Sequence, residues 1–523
     1  MTSQIITSSS RGTYSRRRTL AILGGSIAGA AVAGSSFAQQ PMRGRTLRVS
    51  TVANPSSLDP ATGGSGFDHV YLYTIYDCLI DWEYETLKLK PGLAESWSYP
   101  DPTTLVLNVR KDVVFHDGTP CDAAAVKFNL ERNRSHPRSN VKADLASIAS
   151  IEVAEPLKVV IKLKAPDTAL PGGLSDRSGM MVSPKSLDGD ANVDRAPVGT
   201  GAYQFVSWGD GERVVVKRNE KYWKPNRPYP DGIEFSIITE ITTGLRSVVG
   251  GQNDFMYGLP ARQQAIAERS GSLQVVSGST LSCTQFYLNW ARPPFNDVRV
   301  RRALNFAVDR NAFSKAAFAG LAEPAYMTLP KSHWAYDPSL VSLYPYDPDT
   351  ARKLLADAGY ASGLDVEFVG ATDQDSVQRE EVLIEMLNKV GIRIKFANGP
   401  PGTYSSQYFG PEKKGAGLLA GWSGRPDPSQ TYASLFTKDT YYNAGRADVP
   451  DALVAALHES QASEDLAQRK KALGTVQTIV MENALVVPLV FPPQISVATK
   501  NVKDYKANLL GKPRFDDVWL SGS

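Results

Sequence analysis

The sequence predicts an α/β protein built as two or three lobes. Three observations predict it: a chain of 523 residues exceeds what one hydrophobic core organises, strand-like segments dominate up to about residue 290, and helical and strand patterns alternate beyond it. Taken in order, Thr46–Val52 alternates as a strand, and the aromatic-rich Phe67–Asp81 predicts a helix beneath it. Thr103–Phe115 is a strand ended by the turn residues Asp117-Gly118. Thr119 is placed to cap a helix with Pro120 at its first position and Ala123, Val126 and Leu130 along one side. Ile148–Ala154, Lys158–Leu163, Tyr203–Val206, Arg213–Arg218 and Gly232–Ile238 continue as strands, interrupted by a helix at Ile241–Gly250.

Past residue 290, Val300, Ala303, Leu304, Ala307 and Val308 recur at helical spacing, which leaves Arg299, Arg301 and Arg302 on a solvated face. Ala351, Leu354, Leu355 and Ala358 repeat the pattern up to a stop at Gly359. A strand at Asp365–Val369, a helix at Asp375–Val390 stopped by Gly391, and a strand through Ile392, Ile394 and Phe396 form a βαβ unit. This half is therefore expected to hold a largely parallel sheet covered by helices. Gly417–Trp422 adds a strand, and helices at Pro450–Gln461 and Glu464–Glu482 precede strands at Ala484–Leu489 and Gln494–Thr499.

The first 38 residues read as an export signal. Ser15-Arg16-Arg17-Arg18 precedes an uncharged run from Leu20 to Ala33, and Ser36-Phe37-Ala38 offers small residues where a signal peptidase cuts. The serine and paired arginines resemble the twin-arginine type, Thr19 stands where that pattern has an aromatic, and the general secretory route stays open. No later stretch reaches the ~18 apolar residues of a membrane span, and no cysteine follows the small-residue site as a lipid-anchored form requires. A soluble periplasmic protein cleaved after about Ala38 is expected. Arg11, Arg16, Arg17 and Arg18 leave with the signal and take no acid, so the formal charge of +3 becomes −1. That balance argues against nucleic acid as a partner, which draws on a basic face.

Signatures of catalysis, cofactors and metals are missing from the sequence. Gly63-Gly64-Ser65-Gly66 has the wrong spacing for a nucleophile elbow. His69, His116, His136, His333 and His458 form no metal-binding pair, and Cys78, Cys121 and Cys283 have no ligand spacing. At most one disulfide is possible, and the sequence does not say which. Gly199-Thr200-Gly201 lacks the third glycine of a dinucleotide loop, with Gln204 in its place. No enzyme activity, cofactor or metal is expected.

One loop stands out. "GWSGRPDPSQTY", Gly421–Tyr432, leaves the carboxyl end of a strand, where open sheets bind ligands. Pro426 and Pro428 drive Arg425 and Asp427 toward extended backbone, so the loop is preorganised and loses little freedom on binding. Asp427 precedes Pro428 as a helix N-cap does. Arg425 has two readings, pairing with Asp427 or contacting a ligand.

Several segments together resemble one family, the large periplasmic solute-binding proteins of ABC importers of the oligopeptide, dipeptide and nickel type. "NPSSLDP", the stretch from Gly92 to Arg132, "PVGTGAY", "NEKYWKP", "PPFNDVRVRRALNFAVDR" and "YDPDTARKLLADAGY" follow in the family's order across the chain. The resemblance implies a bilobal periplasmic-binding-protein fold, type II of the large class, with a domain inserted in the first lobe and the ligand cleft between lobes. Its boundaries are expected at 1–38 for the signal, 39–85, 195–288 and 493–523 for lobe I, 86–194 for the inserted domain and 289–492 for lobe II. The implied role is a monomer that captures a small molecule or peptide and delivers it to an ABC permease in the inner membrane. Where peptide-binding members carry an acid three residues after the tryptophan to hold a free amine, this chain has Arg425, in a loop one residue shorter. A guanidinium forks onto a carboxylate and cannot hold an ammonium, so the expected solute is acidic, peptide-like or chelate-like. The runners-up are a conventional peptide receptor whose amine contact has moved elsewhere and a nickel-chelate receptor; outside the family, the alternative is a secreted hydrolase. The candidate ligand residues are Trp422, Ser423, Gly424, Arg425 and Asp427, with Tyr287, Asn289, Arg177 and Arg138. His116-Asp117-Gly118 is read as a structural turn.

Overall fold

The computed structural model describes residues 40–188, 192–400, 404–410, 412–438 and 440–522. The export signal and the expected cut after Ala38 lie outside the described residues. The chain opens with β1 (Thr46–Thr51) and the fully buried α1 (His69–Ile75). This helix is shorter than the predicted 67–81, because from Leu79 the backbone pairs across the chain instead: Leu79 N donates to Gly179 O, and Ala94 N to Leu79 O, both at 2.8 Å.

A four-stranded antiparallel sheet follows, built from β2 (Ala94–Asp101), β3 (Thr104–Val109), β4 (Ile148–Glu155) and β5 (Lys158–Leu163) in the order β2-β3-β5-β4. Helix α2 (Ala123–Ser135) shares its core through Val126 and Leu130, against Leu105, Leu107 and Ile161. The N-cap of α2 is Asp122, which accepts from Ala125 N at 3.0 Å. Thr119 does not serve, because its amide and hydroxyl both donate to Asp117 in the preceding turn (3.0 and 2.6 Å). After the short α3 (Leu170–Gly173), strands β6 (Tyr203–Gly209), β7 (Arg213–Arg218), β8 (Gly232–Ile237), β9 (Phe255–Tyr257) and β10 (Leu273–Gly278) assemble around β1, which pairs in parallel with β8 and β9.

Residues 279–282 then carry the chain into a six-stranded sheet. Its strands are β11 (Cys283–Leu288), β12 (Glu323–Pro324), β13 (Leu364–Ala371), β14 (Ile392–Gly399), β15 (Gly417–Trp422) and β16 (Val486–Phe491), in the order β12-β16-β11-β15-β13-β14. Helices α4 (Val298–Ala307), α5 (Gln374–Asn388), α6 (Pro428–Phe436), α7 (Asp451–Gln461) and α8 (Leu466–Glu482) lie in the same half of the chain. Pro492-Pro493 crosses back, and β17 (Gln494–Thr499) completes the seven-stranded sheet β10-β17-β9-β1-β8-β7-β6. The two crossings touch, the Thr280 hydroxyl donating to the Pro492 carbonyl at 2.9 Å. The first lies ahead of the 288/289 boundary expected from sequence, since β11 already belongs to the six-stranded sheet.

The expected βαβ unit is present as β13, α5 and β14, with parallel register from Leu364 opposite Ile392 to Ala371 opposite Gly399. The sheet around it is mixed rather than largely parallel. β13 runs parallel to β14 and β15, while β11, β12 and β16 pair antiparallel. Helical crossovers impose parallel strands; β11 and β16 are instead tied directly to the other sheet and escape that constraint. Arg301 is also not solvated. It is buried on α4 and donates to Phe295 O and Asn483 O at 2.7 to 3.0 Å.

Candidate ligand-binding site

Strand β15 ends at Trp422, and the next five residues are fixed one by one. Ser423 is exposed. Gly424 has φ +73°, and a Cβ there would stand 2.5 Å from Leu281 Cβ on the first crossing, so only glycine lets the loop lie against it. The Arg425 amide donates to Thr431 Oγ1 at 3.0 Å. Asp427 has the extended backbone its proline dictates (φ −101°, ψ 128°) and caps α6 by accepting from Ser429 N at 2.9 Å. Its second oxygen accepts from Arg469 Nη2 at 2.6 Å in a buried ion pair, and Arg469 also donates to Ser460 O at 2.8 Å. Asp427 thus ties α6 to α7 and α8, and it is not the partner of Arg425.

Arg425 has no ion-pair partner among the described residues. Its Nη1 reaches its neighbour's Gly424 O at 3.4 Å, and its Nε is covered without a hydrogen bond. The guanidinium carbon lies 5.1 Å from the Trp422 ring, which meets Tyr442 edge-on at 4.9 Å. Burial opposes the charge, yet the field of Asp144, with Tyr442 and Asp176, holds the group above the ordinary arginine value. The result is a charged donor set over an aromatic floor, hydrogen-bonded to Tyr442 and with its Nε unspent. A cation so placed is stable only with an anion or water beside it.

The aromatic floor continues from Tyr442 to Phe409 (5.3 Å) and from Phe409 to Tyr287 (5.2 Å), so Tyr287 joins the Trp422 cluster through its rings. Asn289 is buried at the far end of β11, where it accepts from Ala291 N at 3.2 Å and its amide donates to Ala416 O. Arg177 is buried and spends its donors on Gly63 O at 2.8 Å, Asp68 at 3.0 Å and Ser65 O. Arg138 lies at the surface, paired with Asp194 at 2.6 Å. Neither offers the free fork that Arg425 does. His116 is held in its turn, with Nε2 donating to Gly201 O at 3.0 Å and Nδ1 accepting from Gly199 N at 3.3 Å.

The loop faces the four-stranded-sheet region across a tight seam. A Cβ on Gly172 of α3 would stand 2.9 Å from Asp427 Cβ, and one on Gly173 would stand 2.8 Å from the Gln430 amide nitrogen. Thr168 donates from its amide to Gln461 O at 2.8 Å and from its hydroxyl to Ser463 O at 3.0 Å. A cavity of about 500 Å³ opens along this seam between residues 143–147 and 164–167 on one side and α6 and α7 on the other. Beyond it, Lys512 and His69 flank Asp176 at 2.5 and 2.8 Å; burial alone would raise this carboxyl, and the two partners hold it well below the carboxylate range. Tyr442, Phe409 and Asp144 escape sequence reasoning, because no local pattern links them to the loop. The cysteines at 78, 121 and 283 are all free and buried.

A family model described as bacterial extracellular solute-binding proteins, family 5 (middle), matches residues 88–444. The chain belongs to this family. The glutathione-binding protein GsiB of Salmonella paratyphi A is 30% identical over 495 residues, covering 92% of this chain and 95% of that protein. Among solved structures, DppA of Helicobacter pylori, an ABC transporter-associated periplasmic binding protein in complex with peptide STSA, matches with a TM-score of 0.84 at 25% identity over 92% of this chain and 99% of that one. NikZ of Campylobacter jejuni, in complex with Ni(L-His), shares the fold at a TM-score of 0.78 and 24% identity over 89% and 96%. This family 5 member therefore has the mixed α/β fold of periplasmic binding proteins and is the substrate-binding component of an ABC importer, a binding protein and not an enzyme.

Proposed function

We propose that this family 5 protein captures a small acidic, peptide-like solute between its lobes and delivers it to an inner-membrane ABC permease, acting as a monomer in the periplasm after cleavage near Ala38. The observation that carries the acidic reading is Arg425, a charged guanidinium over Trp422 with a free Nε and no ion-pair partner among the described residues. A carboxylate of the solute accepts the fork, Trp422 and Tyr442 provide its floor, and the exposed Ser423 adds a polar contact. Similarity to a glutathione-binding protein supports the same class, since glutathione is a tripeptide with two carboxylates. Similarity at 25% identity to a protein holding peptide STSA favours a second reading, a conventional peptide receptor.

Mass spectrometry of the ligand released on denaturing the natively purified protein tests the first reading. An acidic peptide-like compound is expected; a neutral or basic peptide overturns it in favour of the second. Amino-terminal sequencing of the exported protein tests the cut at Ala38, and export from a strain lacking the twin-arginine translocase distinguishes the two export routes.

A further inference from the structure

Tyr442 is held from three sides. Its ring meets Trp422, Phe409 and Tyr441 nearly edge-on, with centroids 4.9, 5.3 and 5.2 Å apart and planes at 80 to 85°. Its backbone is braced by the next residue, the buried Asn443, whose Oδ1 accepts from Ala447 N at 3.2 Å and whose Nδ2 donates to Ala447 O at 2.9 Å. Ring and loop together set the place of the hydroxyl, and there it accepts a hydrogen bond from the Arg425 guanidinium. A guanidinium has donors and no acceptor, so the proton of that hydroxyl has no use on Arg425, and the hydroxyl makes no other hydrogen bond among the described residues. Arg425 and Tyr442 both keep part of their surface open, whereas Trp422 is buried.

We infer that the Tyr442 hydroxyl donates to the same ligand carboxylate that Arg425 grips, so that the two side chains form a donor-only seat for a free acid. An ionised carboxylate presents two acceptor oxygens and no proton, and it satisfies the guanidinium and the hydroxyl together. A carboxamide offers one oxygen and an amino group that would face a donor, leaving polar groups unpaired, and sites built on such hydrogen bonds reject the mismatched analogue. Tyr442 thereby turns a general attraction for negative charge into selection of acids over amides. Its ring contacts fix the phenol before a ligand arrives, so little freedom is lost on binding. The inference deepens the proposed function and rests on Arg425 as its anion contact.

Calorimetric titration of the full mature chain with glutathione and with its diamide, in which both carboxylates are carboxamides, separates the two claims when run on wild type, Tyr442→Phe, Arg425→Ala and the double variant. Wild type is expected to prefer glutathione by at least about tenfold. Tyr442→Phe keeps the ring and its three contacts, and it should weaken glutathione by about tenfold while changing the diamide by less than about twofold. In the Arg425→Ala background the same substitution should add little, because the carboxylate is no longer seated. Equal losses for the two ligands, or unchanged affinity for glutathione, overturn the Tyr442 donor and leave the acidic-ligand reading standing if Arg425→Ala still weakens glutathione. A Tyr442→Phe loss that is as large without Arg425 as with it overturns the shared seat. Unchanged affinity in Arg425→Ala overturns the anion contact, and the inference with it, and binding of neither probe by wild type overturns both.

Discussion

At Arg425 a positive charge is held against Trp422 by the field of Asp144 rather than by contact with it. Replacing it with alanine removes a charge-assisted hydrogen bond to an anionic ligand, worth about 2 kcal/mol or roughly thirtyfold in Kd. The unliganded protein should melt at nearly the same temperature, because no ion pair is broken; a fall of many degrees would make Arg425 a scaffold residue. A second residue-scale expectation concerns His116, whose pKa burial lowers from its ordinary 6.5 to about 4. Its folded value lies below its unfolded value, so the unfolded chain binds more protons between pH 6.5 and 4. Its contribution is therefore present above pH 6.5 and lost as pH falls through that window, by about 1.4 kcal/mol per pH unit. Asp77, raised by burial to about 6, acts in the opposite direction, so the comparison must be with a variant. Urea denaturation of His116→Gln should show a shallower loss of stability from pH 6.5 to 4 than wild type. Arg425 was legible in the sequence because its setting is local, a strand end followed by two prolines. Asp144, distant along the chain, was not.

Among the elements, the junction of α6, α7 and α8 depends on one pair. Asp427 and Arg469 have side chains 9% and 8% exposed, and each also binds backbone. Arg469→Ala leaves a buried carboxylate without its cation and should destabilise the protein by roughly 3–5 kcal/mol, whereas Asp427→Asn, which keeps most of the cap, should cost less. Urea titrations of the two single variants and the double variant measure the coupling; additive effects would show that the pair does not act as a unit. The cap at Asp427 follows from Asp-Pro at a helix start, and the βαβ unit from periodicity. The mixed pairing of the six-stranded sheet did not follow, because strand direction at β11 and β16 is set by connections to another sheet. Arg301 shows the same limit: helical spacing puts it off the apolar stripe, yet the backbone carbonyls at 295 and 483 draw it inside.

For the whole molecule the decisive contact is α3 against the start of α6. Gly172 has no room for a methyl group beside Asp427, so Gly172→Ala should hold the halves apart, raise Kd for a true ligand at least tenfold and leave a larger radius of gyration by small-angle scattering in its presence. Unchanged scattering would show that closure does not require this contact. In wild type a bound ligand should add about 2.7 kcal/mol at a hundred times its Kd. The sequence by itself determined the α/β class, the family and the preorganised arginine loop, since these rest on local patterning, on motifs in order and on proline geometry. Only the tertiary structure decided that Asp427 binds Arg469 and leaves Arg425 without an ion-pair partner among the described residues, and that the charge of Asp144 acts on it. Charge partners are chosen by distance in space, and the fold brings together residues that no spacing along the chain connects.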